Sequence, residues 1–236
     1  MAKVDEIIQM NTGLLEFYIK GKKMVSSAAM INGNGVPIIV TAAHCIYDWY
    51  TKTYSERIVF INSEEQRYEI DRAFMRKEWI NEGVVDYDTA FLTLKNSFNM
   101  EINKLVQPVF NLQKEQNFYI SSIRKRFFGG NSIKVIEGTS FKDFIHNSTL
   151  IGVRGNLKSG SSGGPWLIEY ENAIYQNSNT SLSFKQNKKI IWGPFWGPEI
   201  KDIYISSING VELNENIIIN KYFKGGDSSV KENGPK

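Results

Sequence analysis

The sequence predicts an all-β protein, and three observations carry that reading. Short runs rich in β-branched and aromatic residues recur along the 236-residue chain, turn residues punctuate them, and few segments hold a helical period for three turns. The expected strands of the first half are 14–20, 24–31, 37–41, 57–61, 68–75 and 89–94. Those of the second half are 117–123, 133–137, 150–153, 166–170, 189–192 and 202–206. About twelve short strands at close spacing point to barrels or sandwiches, and two six-stranded units fit the count.

Each element has a local cause. The second and third runs flank Asn32-Gly33-Asn34-Gly35, whose residues tolerate the left-handed conformations that a tight hairpin requires. Segment 96–108 is polar and turn-rich, which suits a connector. Segment 176–188 is also polar, and it reads as a surface loop or insertion between two strands. Residues 212–223 hold enough apolar side chains for a closing helix. Residues 225–236 are mostly Gly, Ser, Lys and Glu, a composition that buries almost nothing and reads as a flexible tail or linker. The expected organisation is therefore an N-terminal barrel over 1–105, a C-terminal barrel with its closing helix over 106–224, and a tail over 225–236.

Composition narrows the function. With 28 Lys and Arg against 25 Asp and Glu the net charge is +3, which supplies no general attraction to nucleic acid or to an anionic membrane. The single basic cluster, Arg124-Lys125-Arg126 followed by Phe127 and Phe128, reads as a solvated turn beside core aromatics. One cysteine, Cys45, cannot close an internal disulfide. Two histidines and one cysteine cannot fill an ordinary four-ligand zinc site, so neither metal nor other cofactor is expected. No stretch approaches 18 apolar residues and the first 25 lack a signal-like apolar core, which points to a cytoplasmic protein.

The most informative segment is Gly160-Ser161-Ser162-Gly163-Gly164-Pro165. One reading is a flexible Gly/Ser turn. The other is a nucleophilic Ser162 on a tight turn, with glycines that let backbone N–H groups approach a developing oxyanion. A serine needs a base, and the choice lies between His44 and His146. The α/β-hydrolase elbow also centres a serine between glycines, but there the order is serine, acid, histidine. Both histidines precede Ser162, which excludes that fold.

His44 ends an apolar run, 38–43, whose small Ala42 and Ala43 let the ring turn towards a cleft; a satisfied histidine at a strand end is the plainer alternative. An acid must then hold its tautomer. Asp88 is the first candidate, because it enters the apolar run 89–94 and an acid there is costly to bury without a partner. Asp86 is the second.

With these residues in view the chain resembles the chymotrypsin-like, trypsin-fold (PA-clan) serine peptidases. Thr41-Ala42-Ala43-His44-Cys45, Asp88-Thr89-Ala90-Phe91-Leu92 and Gly160-Ser161-Ser162-Gly163-Gly164-Pro165 stand in the family's order of histidine, aspartate and serine. The resemblance implies two six-stranded antiparallel barrels with a C-terminal helix, and a serine endopeptidase acting on protein or peptide substrates. It implies that Ser162 attacks the carbonyl, His44 serves as base and then acid, Asp88 orients the imidazole, and the N–H groups of Gly160 and Ser162 form the oxyanion hole. It further suggests Ile191-Trp192-Gly193 as the strand beside the substrate and Asn156 near the base of the specificity pocket, with His146 either approaching that pocket or packing on the surface. A trypsin-fold module that has lost catalysis and binds peptides or partners is the alternative.

Departures from the family pattern carry expectations of their own. Ser161 stands where many members place an aspartate that pairs with a freed N-terminus, so other contacts are expected to hold the oxyanion hole, as the likeness to bacterial glutamyl endopeptidases suggests. Cys45 keeps the position of a half-cystine without its partner and is expected as a buried thiol. Ile191 replaces the family's serine beside the aspartate, so Asp88 needs another donor, such as a backbone N–H near His44. An active cytosolic protease also calls for restraint, so a regulatory domain or partner, like those of quality-control proteases or bacterial defence effectors, is expected beyond the tail.

Overall fold

A computed structural model describes residues 2–96, 101–125, 131–144, 146–184 and 189–222. Residues 126–128 of the basic-aromatic cluster, 185–188 of the expected loop and the whole 225–236 tail lie outside them.

The chain opens with helix α1 (Ala2–Asn11), which strand-based patterning passes over. Val4, Ile7 and Ile8 share one helical face and pack on the outside of the first barrel. That barrel then builds from β1 (Thr12–Ile19), β2 (Lys22–Asn32) and β3 (Pro37–Thr41). Next come the small pair β4 (Tyr47–Asp48) and β5 (Thr53–Tyr54), then β6 (Glu56–Ile61) and β7 (Arg67–Arg76). Helix α2 (Lys77–Glu82) and β8 (Ala90–Leu94) follow. Lys20 and Gly21 both adopt positive φ at the β1–β2 turn, as a two-residue hairpin of the matching twist demands. At the β2–β3 turn the Asn32 side chain accepts from the Gly35 N–H at 2.8 Å.

Six strands close the barrel in the order β1, β2, β3, β8, β7, β6 and back to β1, every pair antiparallel. Alternation along β3 explains why its sequence is apolar throughout. Ile39 points into the barrel core, while Ile38 and Val40 face a second cluster formed with α1 and the C-terminal helix. A strand covered on both faces loses the polar alternation of a half-exposed one.

The connector carries β9 (Gln107–Pro108). The second sheet then comprises β10 (Asn117–Lys125), β11 (Asn131–Lys142), β12 (Ile151–Arg154), β13 (Pro165–Tyr170), β14 (Ala173–Asn179) and β15 (Ile190–Gly193). Its ladder runs β15-β12-β11-β10-β13-β14, with β9 added in parallel to β14. Among the described residues this second barrel is half closed, its two ends meeting at the antiparallel bridge Leu182↔Trp192. Phe118, Ile120, Val153 and Trp166 are among the residues that fill it.

Three sequence expectations are corrected here. The closing helix is not at 212–223; it is α3 (Pro198–Asn209), which swallows the expected strand 202–206. Pro198 starts it, Gly210 in the left-handed conformation stops it, and Ile200 and Ile203 bury one face. Residues 217–221 form instead β16 (Ile217–Lys221), paired with β7 of the first barrel. Segment 176–188 is not a surface loop at its start, because β14 occupies residues up to Asn179 and Gln176 to Ser181 are buried. These polar side chains are hidden because each finds partners. Asn177 Nδ2 donates to the Val109 carbonyl, Ser178 Oγ to that of Pro194, and Asn179 Nδ2 to that of Asp88. Hydrogen bonding offsets the cost of taking them out of water.

Candidate active site

Register brings His44 and Asp88 together. Thr41, the last residue of β3, pairs antiparallel with Ala90, the first of β8. The segment leaving one strand therefore lies beside the segment entering the other. Beyond β3 the chain turns through a short 3-10 segment, Ala43–Cys45, and the buried methyls of Ala42 and Ala43 leave room for it. Before β8 a similar turn, Val85–Tyr87, delivers Asp88.

Asp88 is nearly inaccessible, at 1% exposure, and three groups satisfy it. The His44 N–H donates to Oδ1 at 2.8 Å, and His44 Nδ1 donates to Oδ2 at 2.8 Å. Ser181 Oγ also donates to Oδ2. The expected backbone donor near His44 is thus present, and a serine supplies the second bond from β14's continuation. Burial works to raise the Asp88 pKa, but the charge of His44 and these hydrogen bonds outweigh it and hold the carboxyl below its ordinary value. Asp86 takes no part: its carboxylate accepts from the Thr149 N–H.

The bond to Asp88 places the His44 proton on Nδ1 and leaves the Nε2 lone pair unused. The ring is about one-third exposed, at 36%. Burial pushes its pKa down, the adjacent Asp88 carboxylate and Cys45 together push it up further, and the net position is well above the ordinary imidazole value.

Ser162 sits in a rigid turn. Gly160 and Gly163 both adopt positive φ, +87° and +78°. A Cβ on Gly163 would lie 2.2 Å from Thr41 Oγ1, and one on Gly164 would lie 2.1 Å from the Ser121 carbonyl oxygen, so no side chain fits at either position. His44, Gly160 and Ser162 line one cleft of about 530 Å³, together with Leu182 and, on barrel one, Met24, Val25, Trp49 and Trp79. A hollow of similar size, about 510 Å³, lies between β6, β7 and β16 and gathers no histidine. The N–H groups of Gly160 and Ser162 donate to no acceptor among the described residues. Two donors beside a hydroxyl and a histidine–carboxylate pair suit the attack of an oxygen nucleophile on a carbonyl and the stabilisation of the resulting oxyanion.

The other expected substrate contacts are placed elsewhere. Asn156 is exposed on the surface, its carbonyl accepting from Lys134 Nζ at 2.7 Å. Ile191 packs in the core of barrel two, Trp192 packs edge-on against Phe141 and Phe184, and Gly193 pairs with Ile151. His146 stacks on Phe184 with its Nδ1 3.1 Å from Asp143. None of these residues lines the cleft; the segment that reaches it is Ser181-Leu182. Sequence reading missed Ser181 because its surroundings are polar, and the available signal was the alternation Ser181-Leu182-Ser183-Phe184 after the polar run Asn179-Thr180.

Cys45 is a buried free thiol. The group facing it is not a second sulfur but Ser26, whose Oγ accepts from Sγ at 3.2 Å.

Comparison with known proteins places this geometry. No curated protein matches the sequence. Among solved structures, the thermostable serine protease AL20 from an extremophilic microorganism superposes with a TM-score of 0.74 at 23% identity, covering 85% of this chain and 98% of its own. Protease Anisep from Arthrobacter nicotinovorans gives 0.73 at 23% identity, with 84% and 95% covered. A Glu endopeptidase gives 0.64 at 18%, with 91% and 94% covered. These are likenesses of fold. The family model described as Trypsin matches residues 11–174, a span that holds His44, Asp88 and Ser162, and the chain accordingly belongs to the trypsin family of chymotrypsin-like serine proteases.

Proposed function

We propose that the chain is a serine endopeptidase in which Ser162, His44 and Asp88 act as a catalytic triad through an acyl-enzyme. The observation that carries this reading is the convergence, in one cleft, of a histidine oriented by a buried carboxylate, a serine on a glycine turn and two unpaired N–H groups. Ser162 Oγ adds to the scissile carbonyl while His44 Nε2 takes its proton. The N–H groups of Gly160 and Ser162 receive the oxyanion, and His44 returns the proton to the leaving amine. Water then attacks the ester by the same route in reverse and frees Ser162.

The cleft also suggests a substrate class. Met24, Val25, Trp49, Trp79 and Leu182 give it an apolar, aromatic lining, and no Lys or Arg side chain lines it among the described residues. Peptides with apolar or aromatic side chains near the scissile bond fit such walls, whereas acidic ones gain no counter-charge. Cleavage-site profiling on a proteome-derived peptide library tests both claims. Enrichment of apolar residues around the cut is the expected result. A folded protein that cleaves no peptide overturns the enzyme reading, and enrichment of acidic residues overturns the assignment of the lining.

The pH profile follows from the raised His44 pKa. A base must be unprotonated to work, and a raised pKa means that the ring takes its proton earlier as the pH falls. The acid limb of kcat/KM is expected above the ordinary imidazole value of about 6.5. A profile flat from about pH 5 to 8 contradicts the role of His44 as base.

The same proposal places the protein in the cytoplasm, where a lone buried thiol needs no oxidising compartment, and holds its activity in check through a further domain or partner. No described helix is long and apolar enough to cross a membrane. Fractionation of cells expressing the protein reads out the location, and a longer native polypeptide that cleaves as freely as this chain removes the case for restraint.

A further inference from the structure

The turn that holds Ser162 lacks the carboxylate that many family members use to lock it; Ser161 stands there, buried, with its hydroxyl unpartnered. The turn is nevertheless tied down, and the ties come from the opposite barrel. Ser27 N–H and Ser26 Oγ both donate to the Ser162 carbonyl, at 3.0 and 2.6 Å. Ser27 Oγ donates to the Gly160 carbonyl at 2.9 Å. That hydroxyl is itself oriented, because it accepts from the Ile123 N–H at 3.1 Å, while Thr41 Oγ1 donates to the Ser27 carbonyl at 3.1 Å. Ser27 is wholly buried and Ser26 is 3% exposed.

A peptide unit is planar, so holding its carbonyl fixes the direction of the N–H across the bond. The unit joining Gly160 to Ser161 is held at both ends, by Ser27 Oγ and by the bond from Ser161 N–H to the Lys158 carbonyl at 3.2 Å. The unit joining Ser162 to Gly163 is held likewise, by the two β2 serines and by the bond from Gly163 N–H to the Thr180 carbonyl at 2.7 Å. Between them, the unit joining Ser161 to Ser162 has its carbonyl engaged by Gly164 N–H at 3.1 Å. Only the N–H groups of Gly160 and Ser162 are left over.

We propose that Ser26 and Ser27 are positioning residues that preform the oxyanion hole: by clamping the Gly160 and Ser162 carbonyls they fix the peptide units on either side of the one that carries the Ser162 N–H, and next to the one that carries the Gly160 N–H, so that the two unpaired N–H groups stay turned towards the cleft. This rests on the reading of Ser162 as nucleophile. It makes the hole a property of barrel docking, with no proteolytic trigger in the loop itself. Ser27 is wholly buried and Ser26 meets the cleft with only 3% of its surface exposed, so both act through the backbone of the turn. Their contribution belongs to the transition state, because charge on the carbonyl oxygen reaches full size only there.

The test compares wild type with Ser27→Ala, Ser26→Ala and Ser27→Thr in the full chain. The measurements are kcat and KM on one peptide, the inhibition constant of a peptidyl boronic acid, and thermal melting. Removing the Ser27 hydroxyl is expected to lower kcat by about 10-fold or more with KM within about 2-fold, and to weaken boronate binding by a matching factor. Ser27→Thr, which keeps a hydroxyl, is expected to recover most of the loss. Unchanged kcat in both alanine variants overturns the proposal, as does a fall in kcat that leaves boronate affinity intact. If Ser27→Ala does not fold, Ser26→Ala decides by the same criteria, since it removes the side-chain bond to the Ser162 carbonyl and the one accepted from Cys45 Sγ, and leaves the Ser27 N–H bond in place. Wild type that fails to react with a fluorophosphonate overturns the nucleophile reading itself, which separates that failure from failure of the clamp.

Discussion

Replacing Ser162 by alanine is expected to lower peptide cleavage by roughly 10⁴ or more and to abolish covalent labelling by a fluorophosphonate. The fold should not register the change, because the bonds that tie this turn to β2 run through the Ser162 carbonyl and leave its hydroxyl free of structural duty. His44→Ala should cost a comparable factor, and the double variant should lose little beyond either single one, since nucleophile and base act as a unit. A melting temperature near that of wild type, together with lost labelling, is the combination to look for. Labelling that survives in Ser162→Ala would move the nucleophile to another residue.

Asp88→Asn should lower kcat by roughly 10⁴ while changing KM little. The two side chains are nearly the same shape, so the loss is one of proton placement. An asparagine that keeps its carbonyl oxygen on the His44 N–H turns its NH₂ towards both His44 Nδ1 and Ser181 Oγ. The imidazole proton is then driven to Nε2, where the lone pair is needed. The acid limb supplies a second readout. Removing the carboxylate removes the charge that raises the His44 pKa, so the residual activity should titrate at lower pH than wild type. Residual activity with the wild-type inflection would mean that the limb belongs to some other group.

Legibility from sequence followed the chemistry of each segment. The apolar runs of β3, β8 and β13 were readable as strands because both their propensities and their burial agree. The residues next to them, His44, Asp88 and Ser162, stood out because a polar group at the edge of an apolar run needs a reason. β14 was unreadable for the opposite cause. Its end and continuation, Gln176 to Ser181, are as polar as a loop and yet buried, and only tertiary partners such as Asp88, Pro194 and Val109 justify hiding them. Missing that stretch hid Ser181, and the strand expected beside the substrate, Ile191-Trp192-Gly193, lies away from the cleft that Leu182 lines. Helix α3 was misplaced by a related effect. Its Ile203 and Ile205 alternate with Asp202 and Tyr204 in a way that imitates a strand, and the stronger signals were Pro198 and Gly210 at its ends.

The order in which a ribosome releases this chain gives the polar strand one more meaning. His44 and Asp88 emerge long before Ser162, and the serine that steadies Asp88, Ser181, emerges later still. β16, which joins the sheet of the first barrel beside β7, follows the strands of the second barrel in sequence. On the proposed triad, a growing chain therefore carries His44 and Asp88 without Ser162, and then Ser162 before Ser181 has arrived to hold Asp88. Peptide-bond cleavage by that triad waits until the chain has been made at least through Ser181, so no shorter piece carries a complete site.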